Sequence, residues 1–271
     1  MISKKTAQTA EGWKHILLLG CDSQNVDEYE RSDAILVLSV KRGRAVRLTS
    51  IMRDIWVSLP GFKEGKINAA VCYGGPEFTM RVIREYFNLP IEKYVMVNMK
   101  GMVNIIDLIG GIDAEITEAE RVFINHNTVD VQRIIRSGSM ILPLEHTGPV
   151  HLCGVQAVAH TRNRTDGTDF MRTVRQRQVL KAITEKIRTQ KNIPRLFRLA
   201  VIGKKHLKMN LNLMDLAKLA LFALRRNPNT IYSFRVPAEG TYTVINDGIW
   251  RFETDFEKNR LLLQAFLKAG Q

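Results

Sequence analysis

The sequence predicts an α/β protein, a three-layer α/β/α sandwich around a central mixed β-sheet. Three observations carry that expectation. Compact apolar runs of strand length alternate along the chain with longer stretches whose apolar residues recur at helical spacing. Two early runs, 34–40 and 45–51, are separated only by Lys41-Arg42-Gly43-Arg44, a short polar connection of the hairpin kind, so the sheet is mixed rather than purely parallel. Elements of both types in alternation bury their apolar faces best as helices layered on a sheet.

The elements follow in order. Residues 15–19 form an apolar run that stops at Gly20, and 55–59 a further strand that stops at Pro60-Gly61. The near-continuous apolar character of these runs fits strands covered on both faces. A helix is expected over 76–87, with Pro76 at a first helical position, where its missing N–H costs nothing. Strand 94–97, helix 100–109 ending at Gly110-Gly111, and strand 112–116 come next. Residues 137–148 are only loosely patterned and read as a surface loop. Helices are expected over 155–161, 171–188, 194–208 and 213–226. Strands 230–236 and 242–245 and a closing helix 252–267 complete the chain. No linker, low-complexity tract or repeat interrupts it, so residues 12–271 are expected to form one domain behind a polar segment, 1–11.

Of the 271 residues, 45% are hydrophobic and 25% charged, which excludes disordered and collagen-like chains. No apolar run approaches the roughly 20 residues that span a bilayer, and the first ten residues lack the apolar stretch of a signal peptide. Cys21, Cys72 and Cys153 are too few and too scattered for a disulfide framework or a zinc site, and read as small buried residues. The net charge of +13 points to an anionic partner: nucleic acid, phospholipid head groups or a phosphorylated substrate. It is unevenly placed, since the stretch from Arg162 to Lys208 holds 14 Lys/Arg against three Asp/Glu.

Three constellations can carry chemistry. In the first, Gly20-Cys21-Asp22 closes one strand and Arg31-Ser32-Asp33 opens the next. Two carboxylates at one sheet edge suit a hard divalent cation. By spacing alone, an Asx-type turn at Asp22 and a surface pair of Arg31 with Asp33 are the plainer reading. In the second, Ser50-Ile51-Met52-Arg53-Asp54 either brings Arg53 to that edge or forms a solvated bend. The third runs from Arg162 to Gln178, with five arginines and no lysine up to Arg177. Arg162 and Arg164 share a face in extended chain. Thr168 or Asp169 can cap the following helix, on which Arg172, Arg175 and Gln176 fall on one side. Guanidinium groups beside a helix N-terminus favour phosphate over a merely solvated surface. His151 and His160 have no partner at metal or triad spacing, and no nucleotide-binding phosphate loop, GxSxG elbow or HExxH motif is present.

Taken together and in this order, the motifs resemble the LytR-CpsA-Psr family of bacterial cell-wall enzymes. The resemblance rests on Leu19-Gly20-Cys21-Asp22, Arg31-Ser32-Asp33, Ser50 to Asp54, Lys66-Ile67-Asn68-Ala69-Ala70, Asp107 to Ile112, Arg162-Asn163-Arg164 and Asp169 to Gln176. It implies an α/β/α phosphotransferase that moves an anionic glycopolymer, of wall teichoic acid or capsular polysaccharide type, from a polyprenyl-pyrophosphate carrier onto peptidoglycan, with polyprenyl pyrophosphatase activity beside it. The implied acceptor is a muramic acid C6 hydroxyl. The implied place is the extracytoplasmic face of a bacterial membrane, with an N-terminal anchor helix ahead of this chain.

By the same resemblance, Asp22 and Asp33 would hold Mg²⁺, with Mn²⁺ as a substitute. Arg31, Arg53, Arg162, Arg164 and Arg172 would hold the pyrophosphate with help from Gln176. Asp33, Arg53 and Asp54 would be catalytic, either Asp33 or Asp54 taking the acceptor proton. The chain departs from the family pattern twice. Met52 replaces the usual proline, which is expected to loosen the bend, and Asn163 replaces an aromatic residue, which is expected to alter a wall of the site. The lysine-bearing rear of the basic stretch, with Lys204, Lys205 and Lys208, is expected to face an anionic membrane or polymer. Two alternatives stand beside this reading: a non-catalytic polyprenyl-phosphate or polysaccharide binder, and a nucleic-acid-binding regulator. No helix-turn-helix, RRM or zinc signature supports the second, so no nucleic acid is expected.

Overall fold

The structure of the chain is a computed structural model that describes residues 12–23, 28–41, 45–164, 169–189, 206–225 and 230–269. Several expectations fall outside those residues: the segment 1–11, the hairpin connection 42–44, the cap at Thr168, Lys204 and Lys205, and the helix expected over 194–208 as far as residue 205.

In chain order the elements are β1 (Trp13–Cys21), β2 (Ser32–Lys41), β3 (Ala45–Ile51), two short strands β4 (Trp56–Val57) and β5 (Gly65–Lys66), and a 3₁₀ turn at Ile67–Ala69. Then come α1 (Ala70–Phe87), β6 (Ile91–Asn98), α2 (Met99–Leu108), β7 (Ile112–Ile116), α3 (Glu118–Ile135), β8 (Gly148–Leu152), α4 (Gly154–Thr161) and α5 (Asp169–Thr189). The chain continues through β9 (Leu207–Met209), α6 (Leu213–Arg225), β10 (Tyr232–Val236), β11 (Tyr242–Asn246), β12 (Trp250–Thr254) and α7 (Phe256–Lys268). The expected α/β class holds, with a central mixed sheet flanked by helices in the strand order β10-β3-β2-β1-β6-β9. β10 runs parallel to β3, whereas β3 is antiparallel to β2 and β9 to β6.

Four expectations need correction. The helix expected from Phe252 begins at Phe256, because Phe252 belongs to β12 and pairs with Val244 of β11. Lys208, expected in a helix, lies in β9 opposite Met96. The 18-residue α3 was not anticipated. Cys72 is exposed, while Cys21 is buried and Cys153 is half-buried, and no disulfide joins them.

Packing divides the described chain into two compact units. The first draws on Met1–Leu19, Arg31–Tyr94 and Ile231–Gln271. Leu17, Leu19, Ile35, Val37, Leu48 and Ile51 of β1, β2 and β3 are buried in its core. α1 is broken at Gly74 and Gly75. The φ of +66° at Gly75 suits glycine, and Pro76 opens the straight part of the helix as expected. The helix ends where Asn88 turns left-handed and its N–H closes on the Arg84 carbonyl. At the end of α7, Arg47 of β3 donates to the carbonyls of Phe266 and Ala269, and its guanidinium lies 4.7 Å from the Tyr232 ring and 5.5 Å from that of Phe266. A cation there meets the negative end of the helix dipole.

The second unit comprises Gly20–Glu30 and Val95–Thr230. α2, α3 and α4 share an apolar cluster built on Val103, Ile116, Ile124, Val131, Ile135 and Val155, while Val179 and Ile183 of α5 pack on Ile106, Ile112, Leu152 and Ala157. A β-carbon at Gly154 would stand 2.3 Å from the Val103 carbonyl, so glycine is what lets α4 meet α2. Asp107 Oδ1 accepts from the Gly154 N–H at 2.6 Å and secures the start of α4. The far end of α4 is Arg162.

Candidate functional site

In the first unit, three of the motifs form one corner. The Asn68 N–H donates to the Arg53 carbonyl at 3.2 Å, and Ser32 Oγ reaches the Asn68 carbonyl at 3.5 Å. The chain segments of Asp33, Arg53 and Lys66 are thus tied by one backbone bond and one hydroxyl bond before their charged side chains are considered. Arg53 Nη1 then lies 2.6 Å from Asp33 Oδ1, and its Nε 3.2 Å from Asp54 Oδ2. Lys66 Nζ takes the other Asp54 oxygen, Oδ1, at 2.7 Å. Asp54 is therefore buried with both oxygens held by cations, whereas a third of the Asp33 side chain stays exposed. Arg31 is exposed just ahead of β2.

The bend before Arg53 is not loosened by Met52. Met52 is buried and its N–H donates to the Val236 carbonyl at 2.8 Å, a bond that proline could not make. The Phe252 N–H adds a bond to the Asp54 carbonyl at 2.9 Å, so the β11–β12 hairpin braces the same corner.

In the second unit, Arg162 sits at the C-terminal cap of α4, with Nη1 3.1 Å from Asp22 Oδ1 and 3.1 Å from the Met99 sulfur. Asp169, the first residue of α5, stands between two more of the expected arginines. Arg164 Nε and Arg172 Nη1 each lie 3.7 Å from its Oδ1. Arg172 is buried and Gln176 is half-buried one turn further along α5. Lys208 Nζ stands 4.6 Å from the centre of the Tyr29 ring.

Arg175, on the same helix as Arg172 and Gln176, has partners in α3 and in the segment before α5. It is buried, donates from Nε to Glu120 Oε1 at 2.7 Å, and from Nη1 to the Asn163 carbonyl at 3.1 Å. Glu120 also completes the capping box of α3, its Oε2 accepting from the Thr117 N–H at 3.0 Å. Burial pushes the Glu120 carboxyl up, but the bonds from Thr117 and Arg175 and the neighbouring positive charge outweigh it and hold it below the usual range. Burial holds the adjacent His160 imidazole down, against the pull of Glu120. Asn163 is fully buried.

Each expected residue thus has a charged neighbour or a defined exposure, within its own unit. Glu120, Lys66 and Asp169 are the partners that the expected set did not contain. Among the described residues, no three His, Cys, Asp or Glu side chains converge as a ready-made cation cage. The arrangement offers instead guanidinium groups resting on carboxylates, which a phosphate can replace with charge-assisted, bidentate bonds.

An α/β fold with a mixed sheet and such arginine–carboxylate sets defines an anion-handling α/β protein. A sequence profile of the LytR_cpsA_psr family matches residues 2–265, and the chain belongs to that family. The polyisoprenyl-teichoic acid–peptidoglycan teichoic acid transferase TagU of Bacillus mycoides (strain KBAB4) is 29% identical over 244 residues, spanning 88% of this chain and 72% of the relative. The crystal structure of B. subtilis TagV superposes with a TM-score of 0.74 at 24% identity, covering 97% of this chain and 100% of that one. The LytR-CPS2A-psr family protein YwtF (TagT) with bound octaprenyl pyrophosphate lipid gives 0.70 at 24% identity, covering 95% and 90%. At those identities the shared feature is the fold.

Proposed function

We propose that this chain is a glycopolymer transferase that moves an anionic, teichoic-acid-type chain from a polyprenyl-pyrophosphate carrier to peptidoglycan on the extracytoplasmic face of the membrane. The observation that carries the reading is the set Arg162, Arg164 and Arg172, which rests on Asp22 and Asp169. Three guanidinium groups against two carboxylates leave a place for a multiply charged anion. The relatives named as teichoic acid transferases support the same reading.

In the proposed reaction the muramic acid C6 oxygen attacks the phosphorus on the glycan side of the pyrophosphate. A new P–O bond forms, the bridging P–O bond breaks, and polyprenyl monophosphate leaves. Little covalent chemistry is asked of the protein. Its arginines position the phosphates and stabilise charge that develops on the non-bridging oxygens. Arg31, Arg53, Arg162, Arg164 and Arg172 are assigned that task, with Gln176 as a further hydrogen-bonding contact. Of the two carboxylates that can take the hydroxyl proton, Asp54 is buried and held at both oxygens by Arg53 and Lys66. Asp33, a third exposed, is therefore assigned the proton.

Asp22 lies beside Arg162 and Asp33 beside Arg53. Both are assigned to Mg²⁺, or Mn²⁺ in its place, an ion that takes one or two carboxylates and completes its shell with phosphate oxygens and water. Such an ion would neutralise pyrophosphate charge.

The test is glycan transfer, or phosphate release from a polyprenyl pyrophosphate, in the presence of Mg²⁺ with Arg164→Ala and Asp33→Ala. Each variant is expected to lose on the order of 10²-fold or more in rate. Full activity in both would overturn the assignment. A non-catalytic binder would retain octaprenyl pyrophosphate without breaking its P–O–P bond. The net charge of +13 also supports residence beside an anionic membrane surface, read out as salt-sensitive binding to anionic vesicles.

A further inference from the structure

We propose that Arg175 and Glu120 are positioning residues that fix the presentation of Arg164 to phosphate, and that Arg175 itself does not touch the substrate. The inference rests on the pyrophosphate reading of that segment.

Asn163 lies between Arg164 and Arg162, the αR cap residue that ends α4. The Asn163 carbonyl belongs to the peptide unit that joins it to Arg164. Arg175 Nη1 holds that carbonyl at 3.1 Å, and so fixes the plane from which Arg164 departs. Arg175 is itself fixed by Nε on Glu120 at 2.7 Å. Glu120 is fixed in turn by the Thr117 N–H at the start of α3. The chain of bonds runs from a helix N-terminus through a buried ion pair to the backbone of the arginine segment.

Two features set this pair apart from an ordinary stabilising contact. Both side chains are largely out of water, Arg175 at 3% and Glu120 at 13% exposure. A buried pair is weak evidence for stability, because an apolar pair of similar volume often serves as well or better. What an apolar pair cannot supply is a directed donor to the Asn163 carbonyl. Second, α5 grips the segment twice, through Arg172 and Asp169 beside Arg164 and, one turn later, through Arg175 at Asn163. A guanidinium holds carboxylate and carbonyl at once from two nitrogens fixed in one plane, whereas the three donors of an ammonium radiate from a single nitrogen on a flexible stem. Lysine at 175 would keep the charge and lose that fixed two-nitrogen geometry.

The experiment measures octaprenyl pyrophosphate binding, together with KM and kcat for transfer, in Arg175→Lys, Glu120→Gln, Arg164→Ala and the double variant Arg164→Ala/Arg175→Lys. Thermal unfolding of each protein is recorded alongside. The proposal expects Kd and KM to rise about tenfold or more in Arg175→Lys and in Glu120→Gln, measured on the folded fraction, with kcat changed much less. It also expects Arg175→Lys to add less than about threefold once Arg164 is gone, because its effect passes through that side chain. If one single variant does not fold, the other carries the same expectation. A lowered unfolding temperature with unchanged Kd would overturn the proposal, since a merely structural pair behaves so. Equal effects of Arg175→Lys with and without Arg164 would also overturn it, by showing that Arg175 acts on the ligand directly. Unchanged Kd in Arg164→Ala would remove the pyrophosphate reading and this proposal with it, an outcome distinct from failure at Arg175 alone.

Discussion

Replacing His15 is expected to flatten the acid limb of the stability curve. His15 is buried in β1, with Nδ1 2.8 Å from Ser39 Oγ of the neighbouring β2. Burial pulls its pKa down to about 4 from 6.5. The unfolded chain therefore binds this proton more readily than the folded one. The stabilisation is fully present above pH 6.5 and is lost as pH falls toward 4. At 1.36 kcal/mol per pH unit that interval corresponds to about 3 kcal/mol, a substantial part of the stability of a typical domain. The variant His15→Asn retains a polar group near Ser39 but cannot take up a proton in this range. It pays a cavity cost that is the same at every pH, so its slope, rather than its absolute stability, is the observable. Urea denaturation followed by tryptophan fluorescence at pH 7, 6, 5 and 4 supplies that slope. His160, also held low by burial, is present in both proteins and cancels in the difference. An unchanged slope in the variant would refute the reasoning.

Three further outcomes are expected. Arg47→Ala should cost about 2–3 kcal/mol in denaturant unfolding, because two carbonyls at the end of α7 lose their charged donor and two aromatic rings lose its guanidinium. Met52→Pro should cost about 1–3 kcal/mol by leaving the buried Val236 carbonyl without the Met52 N–H, with a fall in transfer activity because Arg53 is the next residue; unchanged stability would show the bond to be dispensable. Thr117→Ala should cost about 1 kcal/mol through the α3 cap, read as a lower urea midpoint.

Much of the sheet was legible because its strands are written locally. Ala45–Ile51 and Ile112–Ile116 are unbroken by turn residues and end where the sequence ends them. α3 escaped because its buried residues, Ile124, Thr128, Val131 and Ile135, form a thin stripe among charges. The Thr117-x-x-Glu120 capping pair was the signal that could have revealed it. Phe252 was misplaced because a short apolar run beside a helical pattern carries no period of its own; pairing with Val244 decides it as strand.

At the site, residue types were legible and partners were not. The arginine run from Arg162 announces oxyanion chemistry by composition, yet Asp22, the carboxylate beside Arg162, lies 140 residues away. Glu120 and Arg175 are 55 residues apart, on helices whose packing no local pattern specifies. Met52 read as a defect in a familiar motif because the Val236 carbonyl that makes use of its N–H arrives only with β10.

That late arrival has a consequence for synthesis. β10 lies parallel to β3, and the hairpin that braces the Arg53–Asp54 corner follows it, so this corner draws on residues 236 and 252. A nascent chain that has emerged only to residue 230 already holds the whole of the second unit, while the first still lacks one sheet neighbour and both of these backbone bonds. Closing so long a loop is a non-local and therefore slow step. The Arg53–Asp54 corner is thus completed last, so a ribosome-bound or C-terminally clipped chain carries it without its two bracing bonds.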